Sequence, residues 1–266
     1  MTRQFWNPVF FLNRYFDSLF PLSELVQDVS CRRLDWDSDY FDSEIYKLEF
    51  IPENISEGDF AKALPEKKAN GKYYVFSEVP TEATSAFRLL AQQGFTLVET
   101  RLNYFHLLEK LPDATRKCRP ALMEDLMPLK RVASEAVNPF DRYHSDPFFS
   151  EEEASAYLQT YIENCLKGLS EVVFVPDLES RPASFAALNK LNLPDFSIYR
   201  IPLTAALQEN NGWHYHLCLA ALQYAKVQQA DALIMTTQSG NKAVIHNCEK
   251  LGFKLGSTFH IFSKEH

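Results

Sequence analysis

The sequence holds no CxxC pair, no apolar run long enough to cross a bilayer and no excess of positive charge. Each absence removes a class of protein. The five cysteines, Cys31, Cys118, Cys165, Cys218 and Cys248, are odd in number and widely spaced, so neither a disulfide framework nor a zinc or other metal site is expected. Reduced thiols in the cytoplasm fit best. The formal net charge of -8 argues against a general affinity for nucleic acid or an anionic membrane, because both reward a basic surface. An anionic ligand must therefore be held locally. The N-terminal stretch is aromatic, but Arg14 and Asp17 interrupt it and Pro8 and Pro21 bracket it. It is too short and too polar for a membrane span and lacks a signal-peptide pattern, so residues 1–30 are expected to form a helical arm packed by their Phe side chains.

What is present suits a globular chain: 266 residues, 46% of them hydrophobic, enough for one large domain or two ordinary ones. The run 34–50 ends in strand-like alternation, and YYVFSEVP (73–80) reads as a buried strand. A helix carrying Leu89 and Leu90 stops at Gly94, and a strand rich in β-branched and aromatic residues follows. Residues 107–118 are charged and aperiodic, which marks a boundary between a first half (31–112) and a second (113–266). In the second half a helix is expected over 119–136 and a loop over 138–150. Another helix opens at Ser150, with Glu153 at capping-box spacing. Strands EVVFVPD and FSIYRIPLT, a helix from about 213 to 228, the strand DALIMTT, a helix in QSGNKAVIHNCEKLGF (238–253) and a last strand complete a mixed α/β pattern. GFTLVET (94–100) and GFKLGST (252–258) share Gly-Phe-x-Leu-x-x-Thr, which supports two related α/β halves.

Three features bear on chemistry. The stretch 201–222 passes from a strand through a polar loop to a helix that starts beside Gly212. Uncapped backbone N–H groups at such a start can hold an anion without a basic side chain, and a glycine lets the backbone approach closely. Pro202 cannot donate to a sheet ladder, so it marks either a bulge where strands part or a plain strand end. In the helix after Gly240, Asn241 and Cys248 are almost two turns apart and share a face with Val244 and Leu251. Asn241 is equally suited to capping the helix.

On these stretches the second half, residues 119–263, resembles the GNAT family of acyl-CoA-dependent N-acetyltransferases. The carrying residues are RPALMEDLMPL, NNGWHYHLCLAALQYA and TTQSGNKAVIHNCEKLGF. Within the family, LDWDSDYF and FDRYHSDPFFSEEEASAYLQTYIEN are similar to the TDP-fucosamine acetyltransferase group. The resemblance implies a mixed, mostly antiparallel sheet flanked by helices, an α/β (α+β) class, preceded by a smaller, degenerate GNAT-like half. It also implies acetyl-CoA as co-substrate, no metal, and direct transfer to the amine of a small acceptor, a nucleotide-linked amino sugar. Pantetheine would pair along Ile201, Leu203 and Thr204, with the Leu203 N–H polarising the carbonyl. The pyrophosphate would rest on Asn211, Gly212, Trp213, His214, Tyr215, His216 and Leu217, and Asn241 would face the cofactor. Asp141, Arg142, Tyr143 and His144 would line the acceptor site.

Two positions depart from the family pattern. His214 stands where the family has a second small residue, and protonated His214 or His216 could compensate by attracting phosphate. Cys248 stands where the family has its tyrosine general acid, which leaves it open between weak acid and inert small hydrophobe. Asp141, His144 and Glu209 are candidate bases by type and region, as is a water chain. These departures keep alive a catalytically silent GNAT-like ligand- or partner-binding protein, and an enzyme acting on a peptide amine is a third reading. A homodimer stays open.

Overall fold

A computed structural model describes residues 29–50, 58, 62–65, 72–193 and 196–265. The arm expected over residues 1–30 thus falls almost wholly outside the described residues. Residues within Met1–Leu102, Ser145–Phe148 and Gly256–His266 form one unit, and Asn103–His144 with Phe149–Leu255 form a second.

In the first unit β1 (Ser30–Arg33) runs antiparallel to β2 (Glu44–Glu49), and α1 (Asp35–Tyr40) links them. β3 (Tyr73–Pro80) lies parallel to β2. Its apolar run predicts burial on both faces, and the first five of its residues are buried. α2 (Thr84–Gln92) turns Ala86, Leu89 and Leu90 onto a core that holds Leu48, Val75, Val79 and Phe262. Gly94 ends it with φ +81°, a conformation that a Cβ disfavours. β4 (Thr96–His106) follows. The unit also takes in Phe259–Glu265, the outer part of the last strand, antiparallel to β3.

The second unit carries β5 (Cys118–Pro120), β6 (Val172–Pro176), β7 (Ser184–Leu193), β8 (Phe196–Ile201), β9 (Thr204–Ala206) and β10 (Ala232–Gln238). Their order is β10-β8-β7-β6-β5, with β9 paired to β7; all of these pairs are antiparallel except β8 with β10. α3 (Leu126–Glu135) and α5 (Glu151–Asn164) cover one face, where Leu129, Val132 and Ile162 meet Val173, Val175, Phe185 and Ala187. Alternate residues point the other way, so Phe174 and Tyr199 meet Tyr224 of α6 (Trp213–Val227). α7 (Lys242–Leu251) and β11 (Lys254–Glu265) end the chain. This is the mixed, mostly antiparallel sheet with flanking helices that the resemblance implied.

Three local expectations are corrected. The helix expected over 119–136 begins only at Leu126, because Arg119 and Pro120 pair with β6 and Asp125 accepts from the Leu122 N–H at 2.8 Å and pairs with Arg119 at 2.7 Å. The loop expected over 138–150 contains a helical turn, α4 (Arg142–Ser145), held by Asp141, whose Oδ1 accepts from the Tyr143 and His144 N–H groups. β7 has no counterpart among the expected strands. The capping box at the start of α5 is present: Ser150 Oγ accepts from Glu153 N–H at 3.2 Å, and Glu153 accepts from Ser150 N–H at 2.9 Å.

Candidate active site

The parallel pair β8 and β10 stays in register from Ala232↔Ile198 to Met235↔Ile201. Beyond that point β10 continues to Gln238, while the other chain leaves at Pro202 and rejoins the sheet as β9 against β7. Between Asn189↔Arg200 and Ala186↔Thr204, three steps along β7 face four along the partner chain. One extra residue is therefore accommodated at 201–203, a β-bulge, and proline is tolerated there because it has no N–H to leave unpaired. Of the two readings of Pro202, the bulge with parting strands is the one found.

The bulge frees backbone groups. Leu203 accepts from Ala187 N–H at 2.9 Å, while its own N–H has no hydrogen-bond partner among the described residues. Ile201 is buried, and the Thr204 hydroxyl donates to Phe185 C=O at 2.8 Å. A main-chain donor at the mouth of two parting strands can hydrogen-bond an acyl oxygen.

α6 starts from Gly212 with φ +85° and no side-chain cap. A Cβ there would meet open space, so backbone conformation rather than crowding selects the glycine. Its first-turn N–H groups are the unsatisfied donors that favour an anion. Trp213 and Leu217 are buried, and Leu217 lies one residue past the first turn, so the free donors belong to the residues before it. Two cations stand beside this turn: the Arg116 guanidinium lies 5.0 Å from the Trp213 ring centroid, and the Lys250 ammonium 4.9 Å from that of Tyr215. Neither was among the sequence candidates, since Arg116 sits in the stretch read as a boundary and Lys250 in a helix end. They place two positive charges next to the first turn of α6.

The histidines do not. Burial pushes the His214 pKa down to about 4, so the ring is neutral at pH 7, and its Nδ1 is bonded to the Asn247 side chain at 3.0 Å. Burial, Arg116 and Lys250 lower His216 as well. The expectation that a protonated His214 or His216 attracts phosphate is thereby corrected: desolvation and two nearby cations favour the neutral form.

Asn241 caps α7, its Oδ1 accepting from Val244 N–H at 3.3 Å. Cys248 is 0% exposed, with Sγ 3.6 Å from Met235 Sδ, and burial pushes its thiol up to about 12. With no accessible atom it offers a ligand no proton in this conformation, so the structure favours the small hydrophobe over the acid.

The 138–144 segment is fastened at the open end of β10. Asn138 donates to Gln238 at 2.7 Å, and Phe140 packs on Gly240 so closely that a Cβ there would lie 2.4 Å from its ring. Asp141 Oδ2 is 2.9 Å from His144 Nδ1, and the His144 side chain is 4% exposed. The His144 Nε2 atom is buried with no hydrogen-bond partner among the described residues. A carboxylate on Nδ1 with a buried, unpartnered Nε2 is the pairing of an oriented base. Arg142 donates to the Tyr143 hydroxyl at 2.8 Å, and Tyr143 donates to Tyr157 at 3.0 Å. Glu209, the other candidate base, faces solvent and pairs with Arg131 at 3.4 Å, which removes it from this group. Among the described residues no cluster suits a metal, and no helix is long and apolar enough to cross a membrane.

No protein-family model matches the sequence, and no curated protein matches it. Solved structures do. A GCN5-related N-acetyltransferase from Kribbella flavida aligns over 96% of this chain and 95% of its own, with TM-score 0.57 and 13% identity. A tandem GNAT protein from the clavulanic acid biosynthesis pathway aligns over 84% and 75%, with TM-score 0.54 and 14% identity. A GCN5-related glucosamine N-acetyltransferase region of a fungal multi-domain β-N-acetylglucosaminidase aligns over 89% of this chain and 31% of that one, with TM-score 0.60 and 12% identity. At such identities the likeness carries the fold: the chain has a GNAT-type fold.

Proposed function

We propose that the chain is an acetyl-CoA-dependent N-acetyltransferase that transfers its acyl group directly to the primary amine of a small acceptor, a nucleotide-linked amino sugar. The observation that carries this reading is the bulge at Pro202 and Leu203, which leaves an unpaired main-chain N–H where β8 and β10 part. The residues present fit the co-substrate. Leu203 and Thr204, next to Ile201, offer an open strand edge to its amide-bearing arm, and within the Asn211–Leu217 segment the first-turn N–H groups from Gly212 on, with Arg116 and Lys250, offer donors and charge to its phosphates. Asn241 stands at the adjoining helix start. Acetyl-CoA, when bound, supplies the activated acyl group. The protein's part is to aim the Leu203 N–H at the acyl oxygen and to remove a proton from the attacking amine. His144 suits the second task, with Asp141 holding its Nδ1 so that Nε2 accepts. The amino-sugar acceptor draws support from the glucosamine-specific name of one structural neighbour and from the aromatic side chains beside His144.

Release of CoA thiol with a panel of amines, run beside thermal shift with acetyl-CoA, tests the proposal. Acetyl-CoA is expected to raise Tm, and a nucleotide-linked amino sugar to drive thiol release. His144→Gln is expected to lower kcat about 10²- to 10⁴-fold with the acetyl-CoA shift retained. Neither a shift nor thiol release with any amine sinks the proposal. The inaccessible Cys248 favours a second reading, a silent GNAT-like binding protein, which predicts a CoA-dependent shift without turnover.

A further inference from the structure

Arg200 is the last residue but one of β8, directly before the bulge. It is half-buried, its Nε is shielded from solvent, and no hydrogen bond or ion pair joins its side chain to a described residue. Two other enclosed arginines among the described residues are matched by carboxylates, Arg101 by Glu78 and Glu99 and Arg119 by Asp125. Directly across the β7–β8 ladder stands Asn189, whose Oδ1 is likewise buried without a partner. Opposed residues of an antiparallel pair share a face, so an unanswered donor and an unanswered acceptor sit side by side and do not satisfy each other. Buried polar groups are rarely left so.

That face is the one α3 and α5 cover: Asn189 follows Phe185 and Ala187 at two-residue steps along β7, both of which pack in the cluster under α3 and α5, and Tyr161 of α5 packs on the same cluster. Tyr161 stacks on Tyr157 at 6.3 Å, and Tyr157 lies against Tyr143 at 4.3 Å. A row of tyrosines therefore leads from the Asp141–His144 pair toward the sheet face that carries Arg200. An amine near His144, a flat ring along the tyrosines and an anionic group at Arg200 would satisfy each part in turn. A guanidinium prefers carboxylate or phosphate, and the Asn189 side chain can turn its N–H2 to the same group.

We propose that Arg200 and Asn189 form an anion-recognising end of the acceptor site, binding a carboxylate or phosphate of the amine substrate beyond the Tyr143–Tyr157–Tyr161 row. This deepens the acetyltransferase reading and rests on it for the amine, though not for the anion.

The test uses the full chain and two pairs of amines that differ in one anionic group: tyramine against tyrosine for a carboxylate, and glucosamine against glucosamine 1-phosphate for a phosphate. In at least one pair the anionic member is expected to have a KM at least about tenfold lower, the scale of a charge-assisted hydrogen bond. Arg200→Gln is expected to abolish that preference while sparing the neutral member, and Arg200→Lys to restore part of it. Which pair responds distinguishes the two anions. Tm of Arg200→Gln should be unchanged or higher, because an unanswered, half-buried cation costs stability. Equal use of neutral and anionic members, an equal loss for both in Arg200→Gln, or a lowered Tm overturns the proposal. If no amine is acetylated, the acetyltransferase reading falls separately, and saturation-transfer NMR with N-acetyltyrosine and N-acetylglucosamine 1-phosphate still decides this one. Binding by wild type that is lost in Arg200→Gln supports it; no binding, or binding that survives the substitution, overturns it.

Discussion

The stretches 73–106 and 231–264 build the same strand, helix, glycine and strand, and they differ in the residues able to do chemistry. Gly94 and Gly252 take φ +81° and +85°. In each copy the following Phe donates its N–H five residues back, Phe95 to Leu90 C=O and Phe253 to Cys248 C=O, both at 2.9 Å. This is one helix-ending motif used twice. The residues before each helix also match, Ala83 at φ -81°, ψ 60° and Asn241 at φ -83°, ψ 71°. Even the outer covering is reciprocal. His106, which ends the first copy, lies against Phe253 at 5.4 Å, and Lys264, which falls at the same place in the second, donates to Gln93 C=O at 2.7 Å and lies over Phe95. In this correspondence Cys248 falls on Leu90, and both are 0% exposed. The lesson concerns the cysteine: the position is core in the copy that has no chemistry, so the fold alone accounts for its burial.

The largest effect that could break this equivalence comes from Leu90→Ala. A fully buried leucine truncated in a packed core costs about 2–5 kcal/mol, read as the loss of unfolding free energy in urea. Cys248→Ala should cost less, because fewer atoms leave, and should keep CoA-dependent turnover. A Cys248→Ala variant of undiminished stability and abolished turnover would return the thiol to catalysis.

Much of this region was open to reading from sequence, because strand, helix and glycine stop each leave a local mark: YYVFSEVP by its apolar run, Gly94 and Gly252 by their place after an amphipathic face. β7 left none. SFAALNKLNL has no β-branched residue, and its Ala, Leu, Asn and Lys suit a helix as well as a strand, so only pairing with β6 and β8 makes it one. The site divides in the same way. The main-chain features, Pro202, Gly212 and the Asn241 cap, follow from residue type. Arg116, Lys250, Arg200 and Tyr161 are brought to the site by tertiary packing and carry no neighbouring signal. Glu209 had the right chemistry for a base but belongs to a short surface turn.

The second effect sharpens a contact that only the later copy makes, the bond from Asn247 of α7 to the neutral His214 of α6. Its folded pKa of about 4 lies below the unfolded value, so between those values the unfolded chain binds the extra proton. The associated stability is fully present above about pH 6.5 and is lost as pH falls toward 4, on the order of 3 kcal/mol. His214→Gln is expected to flatten that part of the pH–stability curve measured by denaturant unfolding. An unchanged slope would mean that the ring is not held neutral.

A third, smaller pair of substitutions asks whether the two helix ends are energetically alike. Gly94→Ala and Gly252→Ala each force an L-residue into the left-handed region, at a cost of about 1–2 kcal/mol. The added Cβ would stand 3.8 Å from Lys264 Cε in one and 3.5 Å from His106 Nε2 in the other, ordinary contacts in both. The two losses should therefore agree closely. A much larger loss at Gly252 would show that the His106 packing resists a methyl group that Lys264 tolerates.

The smallest effect runs in opposite directions at the two helix starts. Asn241 accepts from Val244 N–H, whereas Ala83, in almost the same backbone conformation, has no side-chain oxygen to offer the corresponding donor. Asn241→Ala should lose about 1 kcal/mol, and Ala83→Asn should gain a similar amount if the equivalence extends to the first turn. Thermal unfolding of the two variants and of the double exchange reads both signs. The exchange separates stability from ligand contact as well. Asn241→Ala with Ala83→Asn should recover the wild-type Tm, so any weakening of the acetyl-CoA-induced shift that persists in it belongs to Asn241 as a cofactor contact rather than as a cap.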